Sequence, residues 1–355
     1  MTARPSRRFL TPFPFVLFAT IASVATQPTS PTIAPTPITF QKADATLGDV
    51  AVALSKASGI PISVPPVEGR LKCPAAFAGV PFWDALEQTA KQTGMKIVLF
   101  DKGTKVGLEP RGMSREVSTT SGPFRIVAKQ VIGRALLDVG VTFHDIYLEV
   151  HWEPRIPVFR IDTQPRIIKA TDDHGVGLTA TTTSASGYPT EAITDMKMKV
   201  MGLTRESKKI GILAGEFRVT AAEKILTFKF DDLTGKMPVS KTQNEVIASV
   251  KGITKQDKFW EVELELLYPK NHPPFESFEE QKWLRDNKLQ LVSPDGKPTN
   301  PESEEPAASG RRVVAIYRFP VTINPLAKGW SLVYETPSPL MEFKVPFELR
   351  NIPIP

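Results

Sequence analysis

Apolar and polar positions change their period near residue 111. Between Ile38 and Pro110 two stretches follow one plan, Leu47, Asp49, Gly59 and Ile62 recurring as Phe82, Asp84, Gly94 and Ile97. Leu47, Val50, Ala51 and Leu54 form one helical stripe, and Phe82, Ala85, Leu86, Thr89 and Ala90 form another. Thr46 with Asp49 is a capping-box pattern, and Pro81 suits a first helical turn in which Asp84 sits at the positive end of the helix dipole. Gly59 and Gly94 supply left-handed C-terminal caps. Short strands are predicted at Ile60–Val64, Lys96–Phe100 and Lys105–Glu109, giving two strand-helix-strand halves with both helices on one small sheet.

Past Arg111 the apolar positions alternate, the period of half-buried strands. Ile146, Leu148, Val150 and Trp152 do so, as do Leu226, Phe228 and Phe230. Trp260, Val262, Leu264, Leu266 and Tyr268 form a third such run, and Met341, Phe343, Val345, Phe347 and Leu349 a fourth. Many short strands with polar turns predict mainly antiparallel β-sandwiches, one at 112–233 and a second at 234–355. The second carries one short amphipathic helix around Phe275, Phe278 and Trp283, and a charged, proline-rich exposed loop at 293–310. The fold class is therefore multidomain, a small α+β domain at 38–110 followed by two β-sandwich modules.

The run ITFQKADATLGDVAVALSKASGIPISV followed by LKCPAAFAGVPFWDALEQTAKQTGMKIVLF resembles the secretin and TonB short N-terminal domain. The resemblance covers about one fifth of the chain and implies a non-catalytic periplasmic module that docks other envelope proteins or assembles into rings. The closing VPFELRNIPIP, the FESFEEQKWLRDN segment and the Asp295-Gly296 turn resemble C-terminal immunoglobulin-like regions of uncharacterised secreted bacterial proteins. That likeness implies a fold and no activity.

The first residues read as an export signal. Arg4, Arg7 and Arg8 precede an uncharged apolar run from Phe9 to Ala25, with Ser23 and Ala25 placed for cleavage. The Arg7-Arg8 pair lacks the spacer of a twin-arginine signal, so ordinary secretion is expected, to periplasm, cell envelope or beyond. Residues 26–37, TQPTSPTIAPTP, have the composition of an extended tether with nothing to bury. The 44 basic and 38 acidic side chains give +6, and removal of 1–25 halves that excess. With one cysteine, Cys73, no internal disulfide can form, and burial must stabilise an exported chain.

Chemistry-bearing motifs are few. Gly175-Val-Gly177-Leu-Thr-Ala180 matches a dinucleotide fingerprint, yet the Thr/Ser-rich continuation opposes the helix that would hold a pyrophosphate, so a strand turn is expected. His144 and His151 fall on opposite faces of one strand and read as surface or strand-edge histidines, and Asp172-Asp173-His174 reads as a polar turn. Cys73 reads as a small buried apolar residue. Lys197, Lys199, Arg205, Lys208 and Lys209 form the most basic stretch, a solvated face without aromatic neighbours in sequence, which opposes nucleic acid and admits an acidic polysaccharide. No catalytic, cofactor-binding or metal-ligating residue is assigned, and no cofactor. The expected function is a non-enzymatic adaptor acting through envelope proteins, with no membrane span once the signal is removed. The alternative is a glycan-binding module or envelope enzyme with its site in the sandwich loops. Trp152, Trp260 and Trp330 fall on apparent inward faces and oppose sugar stacking.

Overall fold

The computed structural model describes residues 32–355 apart from 182, 184, 271 and 273–286. The export signal and the short helix expected around 275–283 lie outside the described residues. The first part runs β1 (Pro37–Lys42), α1 (Leu47–Ser58), β2 (Ile62–Ser63), β3 (Ala75–Pro81), α2 (Phe82–Thr93), β4 (Met95–Phe100) and β5 (Lys105–Pro110). Helix α1 opens on the capping box, Thr46 N–H donating to Asp49 Oδ2 at 2.9 Å and Asp49 N–H to Thr46 Oγ1 at 3.2 Å. The Thr46 amide and the Lys42 ammonium hold the Asp49 carboxyl down at about 2. Gly59 and Gly94 close the two helices in the left-handed region. Both apolar stripes are buried in one core with Ile38, Phe77 and Leu108.

The strands of this part form two sheets where one was expected. β1 pairs with β3, while β2, β5 and β4 make a separate three-stranded sheet. The two-residue β2 ends just before Pro65 and Pro66, which have no amide donor to extend a ladder that would join the sheets.

The remainder is mostly β, in several sheets. It continues with β6 (Val117–Ser121), β7 (Phe124–Leu136), β8 (Val141–Trp152), β9 (Val158–Asp162) and β10 (Arg166–Asp172). Then come β11 (Thr179–Thr181), β12 (Ser186–Gly187), β13 (Ile193–Met201), β14 (Lys209–Ala221), β15 (Ile225–Asp231), β16 (Val239–Gln243) and β17 (Val246–Lys255). The last are β18 (Phe259–Leu267), β19 (Lys288–Val292), β20 (Pro298–Thr299), β21 (Ser303–Ser309), β22 (Arg312–Pro320), β23 (Ser331–Pro337) and β24 (Met341–Pro353). One sheet has the order β11-β13-β8-β7-β6, and a second has β10-β14-β9-β12 with β24 along the other edge of β14. Side chains of these two sheets share one core, including Phe124, Ile146, Val150, Phe217, Phe343 and Phe347. A separate core, with Phe228, Val262, Leu264, Tyr317 and Tyr334, lies between β15-β23-β19-β20 and β16-β17-β18-β22-β21.

Three segments depart from expectation. Met341–Leu349, assigned by chain order to the block 234–355, pairs with β14 from Ala221↔Met341 to Lys209↔Pro353 and packs against Phe124. Residues 293–310, read as a loop, contain β20 and β21, with β21 pairing along β22. Its alternation is hidden because an edge strand needs only one half-buried face, here Glu304, Pro306 and Ala308. Residues 32–36, read as tether, lie against the protein. Ile33 is 3% exposed within the Phe124 core, and Thr36 N–H donates to buried Glu153 at 2.9 Å. Ile33 is the one large apolar residue of that segment, and it is the residue buried.

Phe343→Ala should cost about 3–5 kcal/mol in chemical denaturation. A double-mutant cycle should couple it to Phe124, whose ring lies 6.1 Å away, and leave it additive with Phe228 of the other core.

Candidate functional site

Helix α2 turns one stripe toward β6 and β7. Trp83 Nε1–H donates to Pro123 O at 3.0 Å, the Thr120 hydroxyl donates to Asp84, and the Ser118 hydroxyl donates to Glu87 at 2.6 Å. Asp84 is thus more than a helix-start charge, since it ties α2 to β6. At the centre lies Arg125, 2% exposed. Its Nε donates to Glu87 at 2.6 Å, its Nη2 to Glu116 at 2.7 Å, and its Nη1 faces His151 Nδ1 at 3.3 Å. His151 Nε2 meets Glu149 at 2.6 Å, and Lys129 lies 3.3 Å from Glu149 and 3.7 Å from Glu116. Three carboxylates, two cations and one imidazole so share a junction between the α+β part and the first β part.

This network forms one wall of a cleft of about 650 Å³. The cleft is lined by Lys96–Leu99 of β4, Ala128–Val131 of β7, Glu149, His151 and the C-terminal Ile352–Pro355. Four successive residues of β4 line it, as happens when a strand presents its edge. Among the described residues β4 pairs with β5 alone, and β7 runs past Ala128 with no partner on its β6 side. Both walls therefore offer unpaired backbone.

Burial lowers the His151 pKa below its usual value, the Arg125 charge adds to that, and the bond to Glu149 opposes it. The neutral ring fits its surroundings, with Nδ1 accepting from Arg125 and Nε2–H donating to Glu149. For Glu149 burial favours the neutral acid, but the bonds to His151 and Lys129 outweigh it and the pKa falls. Both ring nitrogens of His151 are committed, which leaves the ring holding the junction rather than moving protons.

The residues singled out in sequence lie apart from this cleft, except His151. The expectation of a surface or strand-edge histidine fails there, because α2 and Arg125 cover it to 1% exposure. His144 takes the opposite parity on β8. Cys73 is buried, and burial pushes its thiol up. Asp172 accepts from the amides of His174 and Val176 and from the Ser207 hydroxyl, an Asx-type turn. Gly175 turns at φ +82° into a bridge at Gly177 and then β11, so strand follows the fingerprint. Trp152 and Trp260 are buried and Trp330 packs on the third core. Lys197 and Lys199 have aromatic neighbours in space that the sequence conceals, Tyr147 and Phe143 on β8. Among the described residues no group of three or more His, Cys, Asp or Glu side chains is placed to hold a metal ion. No helix there is long and apolar enough to cross a membrane. No family model, curated protein or solved structure matches the chain.

Sequence reading missed Arg125 and its partners. The available signal was a lone charge inside the apolar run Phe124-Arg-Ile-Val-Ala128, which requires either exposure or a buried counter-charge. Arg125→Met should destabilise the protein by about 3–5 kcal/mol, measured by chemical denaturation, because it strands Glu87 and Glu116 at the junction. His151 sets a pH window. Its folded pKa lies below the unfolded value near 6.5, so the unfolded chain binds the extra proton and stability falls as pH drops below about 6.5. The denaturation midpoint should fall between pH 7 and pH 5, and His151→Gln should flatten that fall.

Proposed function

We propose that the chain is a non-enzymatic adaptor, exported to the periplasm or cell envelope, that associates with other envelope proteins. In this reading 38–110 is a module like the secretin and TonB short N-terminal domain. It is carried on two β-sandwich modules, of which the second is immunoglobulin-like. The observation that carries the reading is the cleft of about 650 Å³ with unpaired strand edges on both walls, β4 on one side and β7 beyond Ala128 on the other. An extended segment of a partner entering there gains main-chain hydrogen bonds from either edge, with side-chain selectivity from alternate positions. The fixed network behind it supports a rigid docking wall, since Arg125 and His151 have their polar atoms engaged. The resemblance of 38–110 supports the same conclusion independently of the cleft.

A photo-crosslinking residue at Val98, on the open edge of β4, should capture a reproducible envelope protein in the exporting cell. The same residue at Lys241, on β16, should not. Equal capture at both positions, or none at Val98, would count decisively against docking at this edge.

A further inference from the structure

The hairpin joining β7 to β8 extends beyond its sheet. Every residue from Gly133 to Thr142 is exposed, and Leu136↔Val141 is the last pair before the turn Leu137-Asp138-Val139-Gly140. Within six positions stand four large apolar side chains, Leu137 at 91% exposure, Val139 at 61%, Leu136 at 46% and Val141 at 40%. Soluble surfaces carry such residues singly, and a cluster marks a contact site.

Behind this tip lies a collar of cations. Arg134 on β7 and Lys197 and Lys199 on β13 line a cleft of about 480 Å³, with Thr181, Thr183 and Gln164 also on its wall. One buried carboxylate, Asp145, serves both Arg134, at 2.8 Å, and Lys197, at 3.5 Å. Lys199 lies over the Phe143 ring at 4.2 Å and has no salt bridge among the described residues. The cleft therefore keeps an excess of positive charge. Asp195, the next outward position of β13, lies further from the tip.

The two features are spaced for a lipid interface. Arg134 and Leu137 are three positions apart, about 10 Å at ~3.3 Å per residue of extended chain. Interfacial segments bury apolar side chains roughly 5–10 Å into the boundary between headgroups and acyl chains. With the tip at that depth Arg134, and the Lys199 ammonium over Phe143, the pair partner of Arg134, reach the phosphates, while Lys197, opposite Tyr147, stands further back. A nucleic acid or a neutral sugar would stack on aromatic rings, but Lys199 lies over Phe143 in the cleft and Lys197 over Tyr147 beside it. A basic collar alone would suit an acidic polysaccharide, which has no use for the four apolar side chains.

We propose that this finger docks the protein on an anionic phospholipid surface, Leu136, Leu137, Val139 and Val141 entering the interface while Arg134 and Lys199 bind lipid phosphates and Lys197 adds positive charge behind them. Asp138, the single acid of the tip, keeps the insertion shallow, because burying its charge in hydrocarbon is costly.

Cosedimentation of the exported chain with phosphatidylcholine vesicles containing about one third phosphatidylglycerol tests this without any protein partner. Binding should exceed that to pure phosphatidylcholine and weaken with salt. It should fall about tenfold or more in Leu137→Asp/Val139→Asp and in Lys199→Glu, and tighten in Asp138→Asn. All these positions are exposed, and unchanged circular dichroism would establish that the variants fold. Absence of binding, or equal binding to both vesicle types, would overturn the proposal. Binding that is lost in Lys199→Glu but unchanged in Leu137→Asp/Val139→Asp would overturn it too, leaving a plain polyanion face. None of these outcomes bears on strand docking at β4, which Val98 crosslinking reads separately.

Discussion

The pairing of β14 with β24 is the constraint on which the larger part of the structure depends. Strand β14 leaves the Phe124 core at Ala221, and the chain returns to it at Met341, the residue paired with Ala221. Among the described residues the strands between them build the separate Tyr317–Tyr334 core, which meets the first β part beside this end of the ladder, where Phe159 packs on it and Ala222 N–H donates to Pro157 O at 3.0 Å. Closing a loop of about 120 residues costs only ~0.6 kcal/mol more per doubling of length, so a separately cored insertion is tolerated. What the ladder must supply is the apolar face of β24, whose Phe343, Val345, Phe347 and Leu349 complete the core built by β7, β8 and β14. Gly215 shows how close the strands come. A Cβ there would meet the Arg166 carbonyl at 2.6 Å and the Phe347 ring at 3.0 Å, so position 215 has no room for a side chain between its neighbours.

The α+β part is attached by different means. Its contacts with the β region include a set of directed polar bonds around Arg125, the Trp83 indole, the strap at Ile33–Thr36 that ends on Glu153, and Lys102, which meets Glu191 and the Ala192 amide. Such a junction contributes little net stability compared with an apolar one of the same size, because desolvating the charges offsets most of their attraction. It does penalise misplacement, since a small shift strands a buried charge. A wall with one fixed geometry is what that penalty produces.

Helices α1 and α2 are legible in sequence because stripe, cap and terminal glycine all fall within short windows, 46–59 and 81–94. The strands at Ile146, Trp260 and Met341 are legible because alternation is a local signal. Partnership is not local. Nothing near Met341 says that its neighbour is Ala221 rather than a strand of the block just completed. The Arg125 site was illegible for the same reason, its partners Glu87, Glu116 and His151 coming from α2, the segment before β6, and β8. The edge strand β21 was missed because charge and proline on an edge resemble a loop in composition.

Strand β7 links the junction, the cleft and the finger, and a bulge makes this geometry consistent. At its start Arg125 lies opposite His151, and Val127 opposite Glu149, on the outer face of the sheet. With strict alternation Arg134, at even parity, would point inward beside Ile126 and Ala128. The register shift between Ala128 and Gln130 inserts one residue, after which Gln130 opposes Tyr147 and Arg134 opposes Phe143. The even positions now face out, and Arg134 reaches Asp145 at the head of the lysine cleft. The inserted residue is Lys129, which turns to Glu149 and Glu116 at the junction. One extra residue thus sets the charge pairing at the base of the strand, frees its edge beside β4, and aims the collar behind the apolar tip.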